Sequence, residues 1–172
     1  RLQTIHLIRD PRGSLSSQIK IRNISWDRIG NLSEHFCHRV ADDINSTIFL
    51  HNTYPDRAKI LIYEKLAENP LILAEKLHDF TKMPRYQYVM RYIAKLTMGG
   101  HKSYRQFGSL RANSTKAAYG WRDTIMSDHV QTIDENCASV YDSIGYQKLV
   151  SEEHVRNHNL LTLEAPTSSL FF

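Results

Sequence analysis

The sequence predicts an α/β fold with parallel strands, and three observations predict it. Two short apolar runs, residues 2–8 and 58–63, read as strands. The first is apolar on both faces, as a strand inside a parallel sheet is. The elements come in the order strand, helix, longer helix, strand, further helices, which is the alternation of a parallel α/β sheet. Two strands are too few for a complete sheet, and the chain opens "RLQTIHLI" with no initiator Met. The expectation is that N-terminal strands are missing and that the chain is cut from a longer polypeptide.

Each element has a local reason. After the first strand, Asp10 caps a helix and Pro11 takes its first position, where a missing N–H costs nothing. That helix is expected over residues 11–21. "RNISWDRIGNLS" reads as a polar connection, with Ser33 as the cap of a second helix. Phe36, Cys37, Val40, Ile44 and Phe49 are spaced along one broad face of it. The second strand leads into a short helical turn. Pro70 starts another helix, in which Leu71, Ala74, Leu77 and Phe80 keep a period of three to four, and a further helix is expected over residues 86–97. Residues 98–114, "MGGHKSYRQFGSLRANS", read as a basic loop rich in Gly and Ser. Helical patterns resume near Ser114 and end at Gly145, a C-cap. The expected division is a domain over residues 1–150 and a largely unstructured tail over 151–172.

Composition narrows the class. The 172 residues are 41% hydrophobic and 23% charged, which suits one globular domain or a large part of one. The net charge of +4 is mild. It suits a pocket for an anion, whereas a nucleic-acid binder concentrates its Lys and Arg more heavily. No apolar run approaches the roughly 18 residues that span a bilayer. Cys37 and Cys137 match no zinc spacing and are either one disulfide or two buried thiols. His35, Cys37 and His38 crowd one helical turn, where only two ligands converge, so no metal site is expected. N-x-[ST] sequons stand at Asn23, Asn31, Asn45 and Asn113. Nine asparagines would give about one or two by chance, so the excess tilts toward a secretory lumen.

The stretch "TIHLIRDPRGSLSSQI" carries the chemistry. Ligands of open α/β sheets bind at the C-terminal ends of strands, beside helix N-termini. Arg9 stands at such an end, and Ser14 and Ser17 share a face of the helix that opens there. A forked guanidinium, hydroxyls and a helix N-terminus suit a phosphate group. The competing reading is that Asp10 pairs with Arg9 or Arg12 and the serines face solvent.

"HLIRDPRGSLSS" resembles the 3′-phosphate-binding segment of the sulfotransferases, which use 3′-phosphoadenosine 5′-phosphosulfate (PAPS). In that family a strand ends in Arg, and a Ser eight residues on joins it at the 3′-phosphate; the matching positions are Arg9 and Ser17. The R-D-P-R form resembles the Golgi carbohydrate sulfotransferases, especially the branch acting on the 6-hydroxyl of N-acetylglucosamine, galactose or N-acetylgalactosamine. "ILIYEKLAENP" is similar to that branch's R-Y-E-D-L-A-x-x-P through Tyr63, Glu64, Leu66, Ala67 and Pro70, and departs from it at Ile62 and Lys65. "YIAKLT" resembles W-I-x-x-x-T. "FGSLRANSTKAAYGWR" resembles T-x-R-N-S…W-R through Arg111, Asn113, Ser114, Trp121 and Arg122, with Ala112 interrupting the run. "ENCASVYDSIGY" resembles the closing C…L-G-Y through Cys137, Gly145 and Tyr146.

The resemblance implies a P-loop-NTPase-like parallel sheet flanked by helices, with its N-terminal portion missing. It implies PAPS as co-substrate, no metal, and a glycan or glycosaminoglycan acceptor. Nucleic acid is not an expected partner. A membrane is met only through an anchor upstream of the chain, and the expected place is the Golgi lumen. Arg9, Ser17, Arg111 and Ser114 are the expected cofactor contacts. The family's phosphosulfate loop and catalytic base have no counterpart here, so the catalytic residues are unknown and the fragment alone is expected to be inactive. Two alternatives remain: a catalytically incomplete nucleotide-binding fragment, and a P-loop kinase relative, which needs a Walker lysine not found here. Glu64 follows a strand as a base might, but the resemblance implies a structural acid. Trp121 and Tyr119 read as core rather than as adenine platforms. A glycan on Asn113 and a cofactor at the same place exclude one another.

Overall fold

The computed structural model describes residues 2–99, 113–164 and 166–172. β1 (Thr4–Ile8) and β2 (Ala58–Ile62) pair in parallel, in register from Thr4 opposite Ala58 to Ile8 opposite Ile62. Between them run α1 (Pro11–Arg22), a 3-10 turn (Trp26–Arg28) and α2 (Ile29–Thr53). This is the strand–helix–helix–strand crossover that the pattern implies, and the fold is mixed α/β and mostly helical.

β2, not β1, is the more buried strand. Ile60, Leu61 and Ile62 are all buried, whereas Ile5 and Leu7 of β1 are exposed. The reason is pairing. β2 has β1 on one edge and the chain's last residues on the other, where Ile60 N donates to Leu170 O at 2.8 Å and Phe172 N donates to Ile60 O at 3.3 Å. Among the described residues, β1 pairs with β2 alone.

Beyond β2 come α3 (Tyr63–Glu68), α4 (Pro70–Thr81) and α5 (Gln87–Met98). Pro70 does open a helix, as its locked φ favours. Then follow α6 (Ser114–Tyr119), a second 3-10 turn (Gly120–Asp123), α7 (Ser127–Asn136) and α8 (Ala138–Ile144). Gly145 closes α8 at φ 96°, a left-handed cap that glycine adopts without a Cβ penalty.

Two expectations about α2 fail. The helix begins at Ile29, so Ser33 lies inside it, and its hydroxyl donates to Ile29 O at 2.7 Å instead of capping. Phe49 is 69% exposed and off the packed face. That face is the stripe Ile29, Ser33, Cys37, Ile44, Thr47 and His51, which packs on β2, α7 and α8. Cys37 is bonded to Cys137, at the junction of α7 and α8, with 5.1 Å between Cα atoms. The disulfide also removes Cys37 from any metal-ligand role.

The tail is folded rather than unstructured. α9 (Glu152–Arg156) carries a buried Val155, Leu163 bridges to Tyr146, and Leu170 is buried beside β2. What holds it is Arg122, itself 1% exposed. Its Nε donates to Val155 O, its Nη1 to Leu160 O, and its Nη2 to His154 O and Asn157 O, at 2.6–3.0 Å. One guanidinium thus satisfies the carbonyls that end α9 and turn the chain back. Among the described residues, no helix is long and apolar enough to cross a membrane.

Candidate functional site

Parallel pairing decides which side chains meet at the strand ends. Ile8 and Ile62 are register partners, so the residues that follow them, Arg9 and Tyr63, emerge side by side. The Arg9 guanidinium lies over the Tyr63 ring, 4.8 Å from its centroid, a cation–π arrangement. α1 opens immediately after, with Pro11 in its first turn and Asp10 as its cap.

Asp10 is wholly committed to Arg12. Its Oδ1 accepts from Arg12 N at 2.9 Å and from Arg12 Nε at 3.0 Å, and its Oδ2 accepts from Arg12 Nη2 at 3.0 Å. Arg12 also reaches Asp134 and the carbonyl of Gln147. Burial works against the charge on Arg12, but the Asp10 and Asp134 carboxylates more than offset it and hold its pKa above the ordinary value. Asp134 in turn accepts from Tyr141 Oη at 2.7 Å and Leu149 N at 2.8 Å. Glu64 closes the network on the strand side, accepting from Asp10 N at 3.1 Å and Tyr146 Oη at 2.9 Å. Burial, then the nearby Asp10 carboxylate, push Glu64 up to about 7. It is buried, and both its carboxyl oxygens accept from the fold itself.

Arg9 is treated differently. It is half-buried, and its Nε is buried without a hydrogen-bond partner among the described residues. The indole Nε1 of Trp121 is likewise buried and unpartnered. Both border Gly13. A Cβ there would sit 2.8 Å from Trp121 Cδ1 and 3.3 Å from Arg9 Nε, so only glycine lets the first turn of α1 lie this close. A phosphate oxygen suits such a place: cationic, at a helix start, with N–H groups that no acceptor among the described residues uses.

Ser17 lies half-buried on α1, two turns beyond Arg9. Ser114 is buried, and its hydroxyl donates to Ala67 O of α3 at 2.6 Å. It ties α6 to α3, which begins at Tyr63. Asn113 is exposed and caps α6, accepting from Lys116 N at 2.9 Å. Arg111 lies outside the described residues. Trp121 is core, packed between the Arg12 and Arg122 guanidiniums at 5.0 and 6.0 Å from its ring. Sequence reasoning missed the pairing of Tyr63 with Arg9. It also missed Gly13, whose signal was available: a helix's first turn has no need of glycine.

Comparison with known proteins agrees in kind along nearly the whole chain. The chain is 26% identical over 186 residues to carbohydrate sulfotransferase 1 of Danio rerio, covering 96% of this chain and 43% of that protein. It is 29% identical over 182 residues to carbohydrate sulfotransferase 1 of Rattus norvegicus, covering 95% and 43%. Its relatives are carbohydrate sulfotransferases. Carbohydrate sulfotransferase 5 of Mus musculus, 25% identical over 183 residues, extends the similarity to a differently numbered member of the group. The chain spans less than half the length of these relatives. No family model matches it, and no solved structure matches it. Among the described residues, no group of three or more His, Cys, Asp or Glu could hold a metal ion.

Proposed function

We propose that this chain is the part of a carbohydrate sulfotransferase that grips the 3′-phosphate of PAPS. Arg9 and Ser17 hold that phosphate and so position the sulfur; Arg111 and Ser114 close over the nucleotide. The acceptor is a 6-hydroxyl of a sugar in a glycan or glycosaminoglycan. Its oxygen bonds to sulfur as the bond from sulfur to the 5′-phosphate oxygen breaks, its proton passes to a base, and 3′-phosphoadenosine 5′-phosphate leaves. The residues of this chain bind and orient; none is assigned as the base.

The observation that carries this reading is the contrast between two arginines on one turn. Arg12 is fully matched by carboxylates, whereas Arg9 keeps a buried N–H with no acceptor among the described residues. What supports a P-loop-NTPase-like sheet is the parallel crossover with its site at the strand ends, together with the unpaired edge of β1 and its exposed Ile5 and Leu7. The Golgi lumen, with an anchor upstream, is supported by the disulfide and by four sequon asparagines that are all exposed.

Calorimetry on the complete natural polypeptide tests the central claim. Arg9→Ala should weaken 3′-phosphoadenosine 5′-phosphate by about ten- to a hundredfold, the worth of a lost charge-assisted contact of about 1.5–3 kcal/mol. Adenosine 5′-phosphate, which lacks the 3′-phosphate, should be indifferent to the change. If both ligands weaken equally, Arg9 supports the fold and the 3′-phosphate role is wrong. For the compartment, glycosidase treatment of the protein from animal cells should shift its gel mobility; an unshifted protein in the cytosolic fraction overturns it.

A further inference from the structure

A cleft of about 260 Å³ opens between α3, α6 and the returning C-terminal segment. Its walls include Lys65 and Glu68 of α3, Lys116 and Tyr119 of α6, Arg122, and Thr162 of the tail. α3 begins at Tyr63, the ring under Arg9, so one short helix runs from the strand-end site to the cleft wall. Its size falls just below the 300–1,000 Å³ typical of drug-sized sites, which suits one sugar ring rather than a nucleotide.

The charges in the cleft do not balance. Glu68 is already matched, accepting from Lys65 Nζ at 3.2 Å and from Tyr119 Oη at 2.6 Å. Among the described residues Arg122 has no carboxylate within ion-pair distance: the four hydrogen bonds it makes there all go to backbone carbonyls. It is almost wholly buried, where an uncompensated charge is costly. Burial, and then Arg12, pull its pKa below the ordinary value and outweigh the opposing pull of Asp10 and Asp123. Lys116 adds a second, exposed cation. Thr162, 2% exposed, has a hydroxyl with no partner.

We infer that this cleft seats one acidic sugar unit of the acceptor, its anion on the exposed Lys116 and within the field of the buried Arg122, its ring hydroxyls meeting Glu68 and Tyr119. This rests on the sulfotransferase reading and goes beyond it, since it fixes where the acceptor is held and why a charged one is preferred. The anion is a carboxylate or a sulfate ester, and either meets the same positive field.

The test uses the complete natural polypeptide saturated with 3′-phosphoadenosine 5′-phosphate. The probes are N-acetylglucosamine, its 6-sulfate and glucuronic acid, titrated by nuclear magnetic resonance. At least one acidic probe should bind tenfold or more tighter than the neutral sugar, and which one does identifies the anion. Lys116→Glu reverses an exposed charge without touching the core. It should cut that preference threefold or more while nucleotide affinity holds. Equal binding of all probes, no binding of any, or a preference untouched by Lys116→Glu overturns the inference. The nucleotide titrations with Arg9→Ala report on the sulfotransferase reading separately, so the two fail by different measurements.

Discussion

Arg9 and Arg12 lie three residues apart, on either side of the same helix start, and the fold uses them in opposite ways. Arg12 is 0% exposed, forked onto Asp10 and joined to Asp134, which lies 122 residues further on. Arg9 is half-buried, stacked on Tyr63, and unmatched at Nε. A buried arginine with its carboxylates is architecture. One that leaves a donor unused among the described residues, beside a glycine notch, suits the anion proposed for it.

The largest effect should come from Arg12→Met. It leaves Asp10 and Asp134 buried without their cation, a change that typically costs about 3–5 kcal/mol. Urea unfolding of the complete polypeptide should show that loss. Arg12→Lys should recover little of it, because an ammonium cannot occupy two carboxylates through a fork. An Arg12→Met protein as stable as wild type would break the contrast, since Arg12 would then be as dispensable to the fold as Arg9 is held to be.

Next in size is the disulfide, which ties α2 to the α7–α8 junction across a separation of 100 residues. Closing so long a loop should stabilise by about 2–5 kcal/mol. The double change Cys37→Ser and Cys137→Ser should lower the unfolding midpoint accordingly. It should leave 3′-phosphoadenosine 5′-phosphate affinity near wild type, because neither sulfur lies at the strand ends. Equal loss of stability and of nucleotide binding would show that the site is not separable from the α2–α7 half of the core.

What was legible in the sequence is what local chemistry decides. Asp10-Pro11 had to open a helix and Gly145 to close one, because cap and φ preferences act within a few residues. Ser33 misled because its hydroxyl bonds a carbonyl four residues back as readily as it caps, and Ile29 is buried before it, drawing the helix start earlier. The folded tail was not legible, since its anchor is Arg122, 32 to 38 residues away from the carbonyls it binds. Arg9 could be placed at a strand end from its neighbours alone. That Arg12 is shared between Asp10 and Asp134 was not legible, because no local pattern connects Asp134 to the motif.

The smallest effect sharpens the comparison through pH. Glu64 holds the start of α1 from the strand side, through Asp10 N, and its pKa rises from the ordinary 4.5 to about 7 on folding. Between those values the folded protein binds a proton that the unfolded chain has lost. The stability this proton contributes is complete below pH 4.5 and is lost as pH rises through about 7. Wild type should therefore have a higher urea midpoint at pH 5 than at pH 7.5. Other acids contribute to that slope, including Asp134, which burial also raises. Glu64→Gln isolates the one carboxyl, because the amide keeps an oxygen for Asp10 N but carries no proton to lose. Its pH slope should be shallower than that of wild type. Parallel slopes would mean that Glu64 ionises in the fold as freely as in water, and the network around Arg12 would then be less closed to solvent than its hydrogen bonds imply.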